Sequence, residues 1–354
     1  MRWPIFAAMP AAPVKVTVLT TLYNKGAYVE EAVRSVLANT FTDFELLVVD
    51  DASSDGGLET VKAIGDPRIR ILESTVNTGR ASAANRGYDA ARGEYVAVLD
   101  ADDLMMPERL AKQVAFMDAH PEVCVSGTWL KAFGDMNTVI EKPATDAEIR
   151  SQMLLGLTLS YPSCMIRRSV VQAHQVRCDP DWLIPGMDHL FLVKLGLYGK
   201  YASLQEPLTL YRVGAQNMDH GRDRVSDRRL LVLETFRLLE IPAGQKEADL
   251  HLMLKNLHTV APTAARVKAL DAWLGRLKAH NRKTLRFPVE AFEKELDMLW
   301  SRSFYFLADR NLKAGWEHLR LSKGFDTGKL YYLFNRLRRS RTTKGAARKN
   351  PSIV

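Results

Sequence analysis

Four apolar runs in the first hundred residues each end in polar or acidic residues and each give way to helical spacing. A parallel, doubly wound α/β sheet accommodates that alternation, and few other folds do. The first run, Val14-Lys15-Val16-Thr17-Val18-Leu19-Thr20, passes into Thr21-Leu22-Tyr23-Asn24. After it Tyr28, Val29, Ala32, Val33, Val36 and Leu37 recur at helical intervals. The second, Phe44 to Val49, ends in Asp50-Asp51-Ala52-Ser53-Ser54-Asp55. The third, Arg68 to Leu72, leads to Asn77-Thr78-Gly79 and a small-residue helix over Ala81 to Ala91. The fourth, Tyr95 to Leu99, runs into Asp100-Ala101-Asp102-Asp103 before Pro107 turns the chain into another helix. In such a sheet these strand ends share one edge, where ligands bind.

Three carboxylates within four residues repel one another, so a fold that gathers them usually supplies a cation. At the carboxyl end of a buried strand a hard divalent ion, Mg²⁺ or Mn²⁺, holding a phosphate is the usual solution. Taken alone the acidic turn is a weak signal, since such turns are more often solvated surface features. Its company at the same sheet edge gives it weight.

Together these blocks resemble the family-2 glycosyltransferases with the GT-A fold. The resemblance runs through Thr21-Leu22-Tyr23-Asn24, Val49 to Asp55, Asn77-Thr78-Gly79, Ala84-Asn85-Arg86-Gly87 and Leu99 to Asp103. It continues more loosely through Gly186 to Leu190 and Tyr211-Arg212, covering about residues 14 to 217. It implies that Asp51 accepts the uracil imide N–H of a UDP-sugar, and that Thr20, Tyr23 and the Asn77/Gly79 turn line base and ribose. Asp100 and Asp102 correspond to the family's DxD, with Asp102 the more direct ligand of Mn²⁺ or Mg²⁺ on the diphosphate. Family members often carry a His shortly after the Tyr-Arg pair; here Tyr211-Arg212-Val213-Gly214 has none, and His220 is the nearest candidate. A metal site completed by water is the expectation.

The second half of the domain should supply the acceptor side. Ser160 to Ile166 reads as a strand, and Asp179 to His189 opens a helix carrying Leu190, Leu192, Val193, Leu195 and Leu197. Asp188 stands where the family places its catalytic base, with Met187 in place of a preceding acid. A carboxylate at a helix start is also favoured by the macrodipole, and the two roles are compatible. Trp182 is either a sugar-stacking ring or a core residue.

Past Asp219 the pattern becomes helical, around Arg228–Leu239, Glu247–Leu257, Ala264–Leu277 and Val289–Phe306, with no catalytic constellation. The expected organisation is a disordered leader over 1–13, a GT-A domain over 14–220, a helical module over 221–326 and a basic tail over 327–354. Thr327 to Val354 holds eight Lys and Arg and no acid, which equals the whole formal net charge of +8. Leu330, Leu333, Phe334 and Leu337 fall on one helical face there, an arrangement suited to an anionic membrane surface or to docking on the protein. No nucleic-acid reading motif accompanies the charge. Cys124, Cys164 and Cys178 have no metal-ligand spacing and read as reduced thiols, and no apolar run is long enough to span a bilayer. The expected location is cytoplasmic, peripheral on the inner membrane's cytoplasmic face.

The expected activity is inverting, single-addition transfer of a sugar from a nucleotide-diphosphate donor, UDP-sugar foremost, to a cell-surface glycan or lipid-linked acceptor. The Gln-x-x-Arg-Trp signature of processive synthases is absent. An impaired relative serving as a sugar-binding or scaffolding subunit is the alternative, motivated by the missing His and by Met187. A phosphoreceiver-like domain also gathers carboxylates around Mg²⁺, but this chain is too long and lacks the appropriately placed Lys.

Overall fold

The structure, a computed structural model, describes residues 14–154, 156, 158–214, 223–254, 262–324 and 326–347. The leader 1–13 and His220 lie outside the described residues. The chain divides into two compact units, residues 1–149 with 157–220 and residues 150–156 with 221–354.

Among the described residues of the first unit, nine strands form one sheet. They are β1 (Val16–Leu22), β2 (Phe44–Asp50), β3 (Ile69–Leu72), β4 (Tyr95–Val98), β5 (Leu104–Met105), β6 (Val123–Gly134), β7 (Val139–Ile140), β8 (Met165–Arg167) and β9 (Lys200–Val213). The order is β3-β2-β1-β4-β8-β6-β9-β5, with β7 on β6. The first four strands pair in parallel; β8 then runs antiparallel to both β4 and β6, and β6 and β9 pair in parallel again. The seven helices of this segment are α1 (Val29–Leu37), α2 (Gly57–Ile64), α3 (Arg80–Ala90), α4 (Arg109–Ala119), α5 (Asp146–Met153), α6 (Arg168–Ala173) and α7 (Met187–Leu195).

The parallel half follows from its composition. All seven residues of β2 are buried, as expected of a strand covered on both faces. Helix α1 turns Val29, Ala32, Val33 and Val36 inward and leaves Glu30 and Arg34 as an exposed ion pair one turn apart. Helix α3 lies close on β1 because Gly87 has no side chain: a Cβ there would come within 2.3 Å of Leu19 Cδ1. The β1 partners Leu22↔Asp50 and Leu19↔Val98 put the ends of β2 and β4 at the same edge.

One expected strand is corrected. Ser160 to Ile166 forms a 3₁₀ turn over Tyr161–Ser163, and only Met165–Arg167 pairs in the sheet. Pro162 has no N–H for a ladder, and the Ser163 hydroxyl donates to Ser160 O at 2.7 Å, closing the turn. The fully buried Arg109 fastens this turn to the end of β4, donating to Pro162 O, Val98 O and Cys164 O at 2.7, 3.0 and 3.2 Å. Its guanidinium thereby fixes the point from which the acidic loop departs.

The second unit is helical in its described residues: α8 (Arg224–Leu238), α9 (Gln245–Met253), α10 (Ala264–Thr284), α11 (Val289–Arg310), α12 (Leu312–Leu321) and α13 (Thr327–Ala347). Asp223, Thr263 and Asn311 cap α8, α10 and α12 through their side-chain oxygens. The apolar face expected on the tail is divided. Leu333 is fully buried against Phe304 and Ala308 of α11, whereas Tyr331 and Phe334 remain 70% and 51% exposed. Among the described residues no helix is long and apolar enough to cross a membrane.

Candidate functional site

Asp51 directly follows β2, almost wholly buried, and its carboxylate organises the turn before α3. Oδ1 accepts from Thr78 N at 2.9 Å and from Thr78 Oγ1 at 2.7 Å; Oδ2 accepts from Gly79 N at 2.8 Å. Gly79 N also donates to Asn77 Oδ1 at 3.1 Å. Gly79 holds φ +86°, a conformation that a side chain would strain, which is why glycine starts this helix. Asp51 and the Asn77–Gly79 turn are therefore one hydrogen-bonded unit. Oδ2 has a single donor among the described residues and retains capacity for another.

The β1 end is tied to the same place. Ser54 N donates to Asn24 Oδ1 at 2.9 Å, and Gly26 N to Asp55 Oδ2 at 2.6 Å. Asn24 and Ala52 both take positive φ, 51° and 63°. Ala52 gains nothing from a left-handed conformation by itself; Asp50 Oδ2 holds it there by accepting from Ala52 N at 3.1 Å. Thr20 is buried in β1, and Tyr23 is 49% exposed at its end.

The acidic loop follows β4. Its three carboxylates meet different fates. Asp103 is buried, with Oδ1 accepting from Arg212 N at 2.8 Å and Oδ2 without a partner among the described residues. Burial, and then Asp100, push its carboxyl well above the usual range. Asp102 Oδ2 pairs with Lys25 Nζ at 2.6 Å. Asp100 makes no side-chain hydrogen bond among the described residues, and burial followed by the charge of Asp102 pushes its pKa up to about 6. Arg80 and Lys25 oppose that shift and Asp188 adds to it, so these four side chains surround one carboxyl group. A carboxyl raised in this way ionises at a cost: its contribution to stability is present at low pH and is lost as pH rises through about 6.

Arg212 clamps the loop from β9. Its Nε donates to Asp102 O at 2.9 Å, its Nη2 reaches Glu31 at 2.7 Å, and its guanidinium lies 4.9 and 4.4 Å from the ring centroids of Tyr28 and Phe133. Together with the β5–β9 pairing of Leu104 with Leu210, this leaves the Asp100–Asp102 segment little freedom. Lys25 and Arg80 carry no motif of their own, whereas Arg212 belongs to the Tyr211-Arg212 pair of the resemblance. The available signal for Lys25 was its place just past the β1 end, on the edge that carries the acids.

Asp188 lies in the first turn of α7, half-buried, with Oδ1 accepting from His189 N at 2.9 Å. Met187, His189 and Leu190 are buried and hold the helix start in place. Trp182 is half-buried and its indole N–H points to Pro185 O at 3.5 Å. The three cysteines are free and buried, and burial pushes Cys164 and Cys178 up to about 12. Neither is a thiolate at neutral pH. Among the described residues no group of three His, Cys, Asp or Glu is placed to hold a metal ion.

Known proteins place this arrangement in context. Residues 17–174 match the family described as Glycosyl transferase family 2. The putative glycosyltransferase EpsE of Bacillus subtilis (strain 168) is 36% identical over 158 residues, 44% of this chain and 57% of EpsE. The succinoglycan biosynthesis protein ExoO of Rhizobium meliloti (strain 1021) is 40% identical over 189 residues, 50% of this chain and 54% of ExoO. The chain thus spans little more than half the length of these relatives. Among solved structures, S. aureus TarS 1-349 in complex with UDP-GlcNAc superposes with TM-score 0.56 at 18% identity, covering 87% of this chain and 90% of that one. The mannosyltransferase PcManGT from Pyrobaculum calidifontis, in complex with GDP-Man and Mn²⁺, superposes with TM-score 0.51 at 16% identity, covering 84% and 88%. At these identities the likeness is one of fold, and the fold is GT-A.

Proposed function

We propose that this chain, whose residues 17–174 match the family described as Glycosyl transferase family 2, is an inverting, single-addition glycosyltransferase using a UDP-sugar. The observation that carries this reading is the meeting of two units at one sheet edge. One is the Asp51–Thr78–Gly79 network; the other is the Asp100/Asp102 loop, with Asp188 in electrostatic reach of Asp100.

In this reading Asp51 Oδ2 accepts the imide N–H of uracil, and Thr20, Tyr23, Asn77 and Gly79 line the nucleoside. Asp100 and Asp102 fit a hard divalent cation: they offer carboxylate oxygens, and burial followed by the charge of Asp102 makes ionised Asp100 costly, a cost that a cation relieves. Mn²⁺ or Mg²⁺ there would neutralise the diphosphate leaving group, with water and phosphate oxygens completing its coordination. Asp188 takes the proton of the acceptor hydroxyl. The likeness to the succinoglycan biosynthesis protein ExoO supports a glycan acceptor in polysaccharide assembly.

A thermal-shift series with UDP-, GDP- and dTDP-sugars plus Mn²⁺ tests the donor. The native state gains stability by mass action, so UDP-sugars should raise the melting temperature most, and no rise with any of them contradicts the reading.

For location we propose a peripheral association with anionic membrane through 327–354, on the cytoplasmic face. The exposed Tyr331 and Phe334 supply the apolar contact and the run of cations the attraction. Removing the tail would also strip Leu333 from Phe304 and Ala308, so substitution is the cleaner test. The full chain should co-sediment with anionic vesicles at low salt, and Tyr331→Ser/Phe334→Ser should weaken it. No co-sedimentation of the full chain contradicts the proposal.

A further inference from the structure

Lys25 was not anticipated at the acidic loop, yet it makes the loop's shortest described ion pair. Its Nζ lies 2.6 Å from Asp102 Oδ2, with side-chain exposures of 25% and 13%. Asp102 is the carboxylate that the donor reading assigns most directly to a divalent cation, so ammonium and cation compete for one oxygen pair. We propose that Lys25 is a resident counter-ion, which holds Asp102 in the donor-free protein and passes it to the cation only when a diphosphate arrives. The inference rests on the donor reading above.

Charge balance gives the reason. Ionised Asp100 and Asp102 with Lys25 sum to one negative charge. A divalent ion entering alone must break the Lys25–Asp102 pair and sit beside the displaced ammonium. A nucleoside diphosphate entering with it adds two or more negative charges and gives that ammonium a new partner. Lysine suits this exchange, since its ammonium is a compact point charge on a flexible stem with three rotatable donors. The β1–α1 junction stays in place meanwhile, because Lys25 O accepts from Tyr28 N and Val29 N, both at 2.9 Å. Metal and nucleotide binding are thereby coupled, and linkage makes the coupling reciprocal.

Mn²⁺ binding is measured by calorimetry, or by the electron paramagnetic resonance signal of free Mn²⁺, with and without UDP, on wild type, Lys25→Met and Lys25→Arg. Without nucleotide, Lys25→Met should bind Mn²⁺ about fivefold more tightly than wild type, the upper scale of a single ion pair. UDP should tighten Mn²⁺ binding less in Lys25→Met than in wild type, and Lys25→Arg, which keeps the pair, should follow wild type. Thermal unfolding confirms that each variant is folded. Equal or weaker Mn²⁺ binding by folded Lys25→Met overturns the inference alone, provided wild type shows Mn²⁺-dependent UDP binding. Absence of that binding in wild type overturns the donor reading and this inference with it.

Discussion

Asp188→Asn is expected to slow donor turnover by about 10²–10⁴-fold while leaving UDP affinity unchanged. In an inverting transfer the attacking hydroxyl loses its proton as the bond to the anomeric carbon forms, on the side opposite the departing diphosphate. A carboxylate must therefore be within hydrogen-bond reach on that side. Asp188 Oδ1 is engaged by His189 N at 2.9 Å, and Oδ2 has no hydrogen bond among the described residues. One oxygen is thus fixed by the helix start, which leaves the other to receive a proton. Asparagine keeps the size and the first contact but cannot take the proton. The substitution should not unfold the site, because the negative charge of Asp188 adds to the cost of ionising the buried Asp100 and its removal relieves that cost. The readout is UDP release from a UDP-sugar, to water or to acceptor, set against UDP affinity by calorimetry. Loss of both would make Asp188 structural, and near-normal turnover would remove it from the mechanism.

Asp102→Ala is expected to abolish the Mn²⁺-supported part of UDP affinity, leaving the value seen with chelator. The loop should hold its place: the backbone oxygen of residue 102 still accepts from Arg212 Nε, and Asp103 still accepts from Arg212 N. Loss of the Lys25 pair should change stability by no more than about 1 kcal/mol. In wild type the same Mn²⁺-supported affinity should fall as pH is lowered through about 6, where Asp100 takes up a proton and stops offering an anionic ligand. Equal UDP affinity with Mn²⁺ and with chelator in wild type would contradict the metal assignment.

The sheet edge was legible because buried parallel strands are nearly pure apolar runs, and their ends announce themselves by a change to Asp, Asn, Thr and Gly. The strands at Val16–Leu22, Phe44–Asp50, Ile69–Leu72 and Tyr95–Val98 lie within a few residues of the expected runs. The long pair β6 and β9 escaped. Register shifts near Val123, Thr128 and Trp129 break the period of two, and β9 carries Gln205, Glu206 and Pro207 in its middle. Ser160 to Ile166 reads as a strand because a short, largely apolar run has the same composition in a buried strand and in a packed turn such as Tyr161–Ser163. The tail's apolar face was visible as a face, but which residue meets α11 depends on a tertiary contact, here Leu333 on Phe304 and Ala308. For the same reason the partner of Asp102 was invisible: Lys25 is 77 residues away along the chain and adjacent only in the fold.

If this sheet edge binds a sugar nucleotide and breaks its glycosidic bond, the full chain should release UDP from a UDP-sugar. That release should depend on Mn²⁺ or Mg²⁺, stop with chelator, and be lost in Asp102→Ala and Asp188→Asn. UDP-sugar that binds without being cleaved would favour the impaired relative acting as a sugar-binding subunit. A folded protein that neither binds nor cleaves any nucleotide sugar would contradict the account.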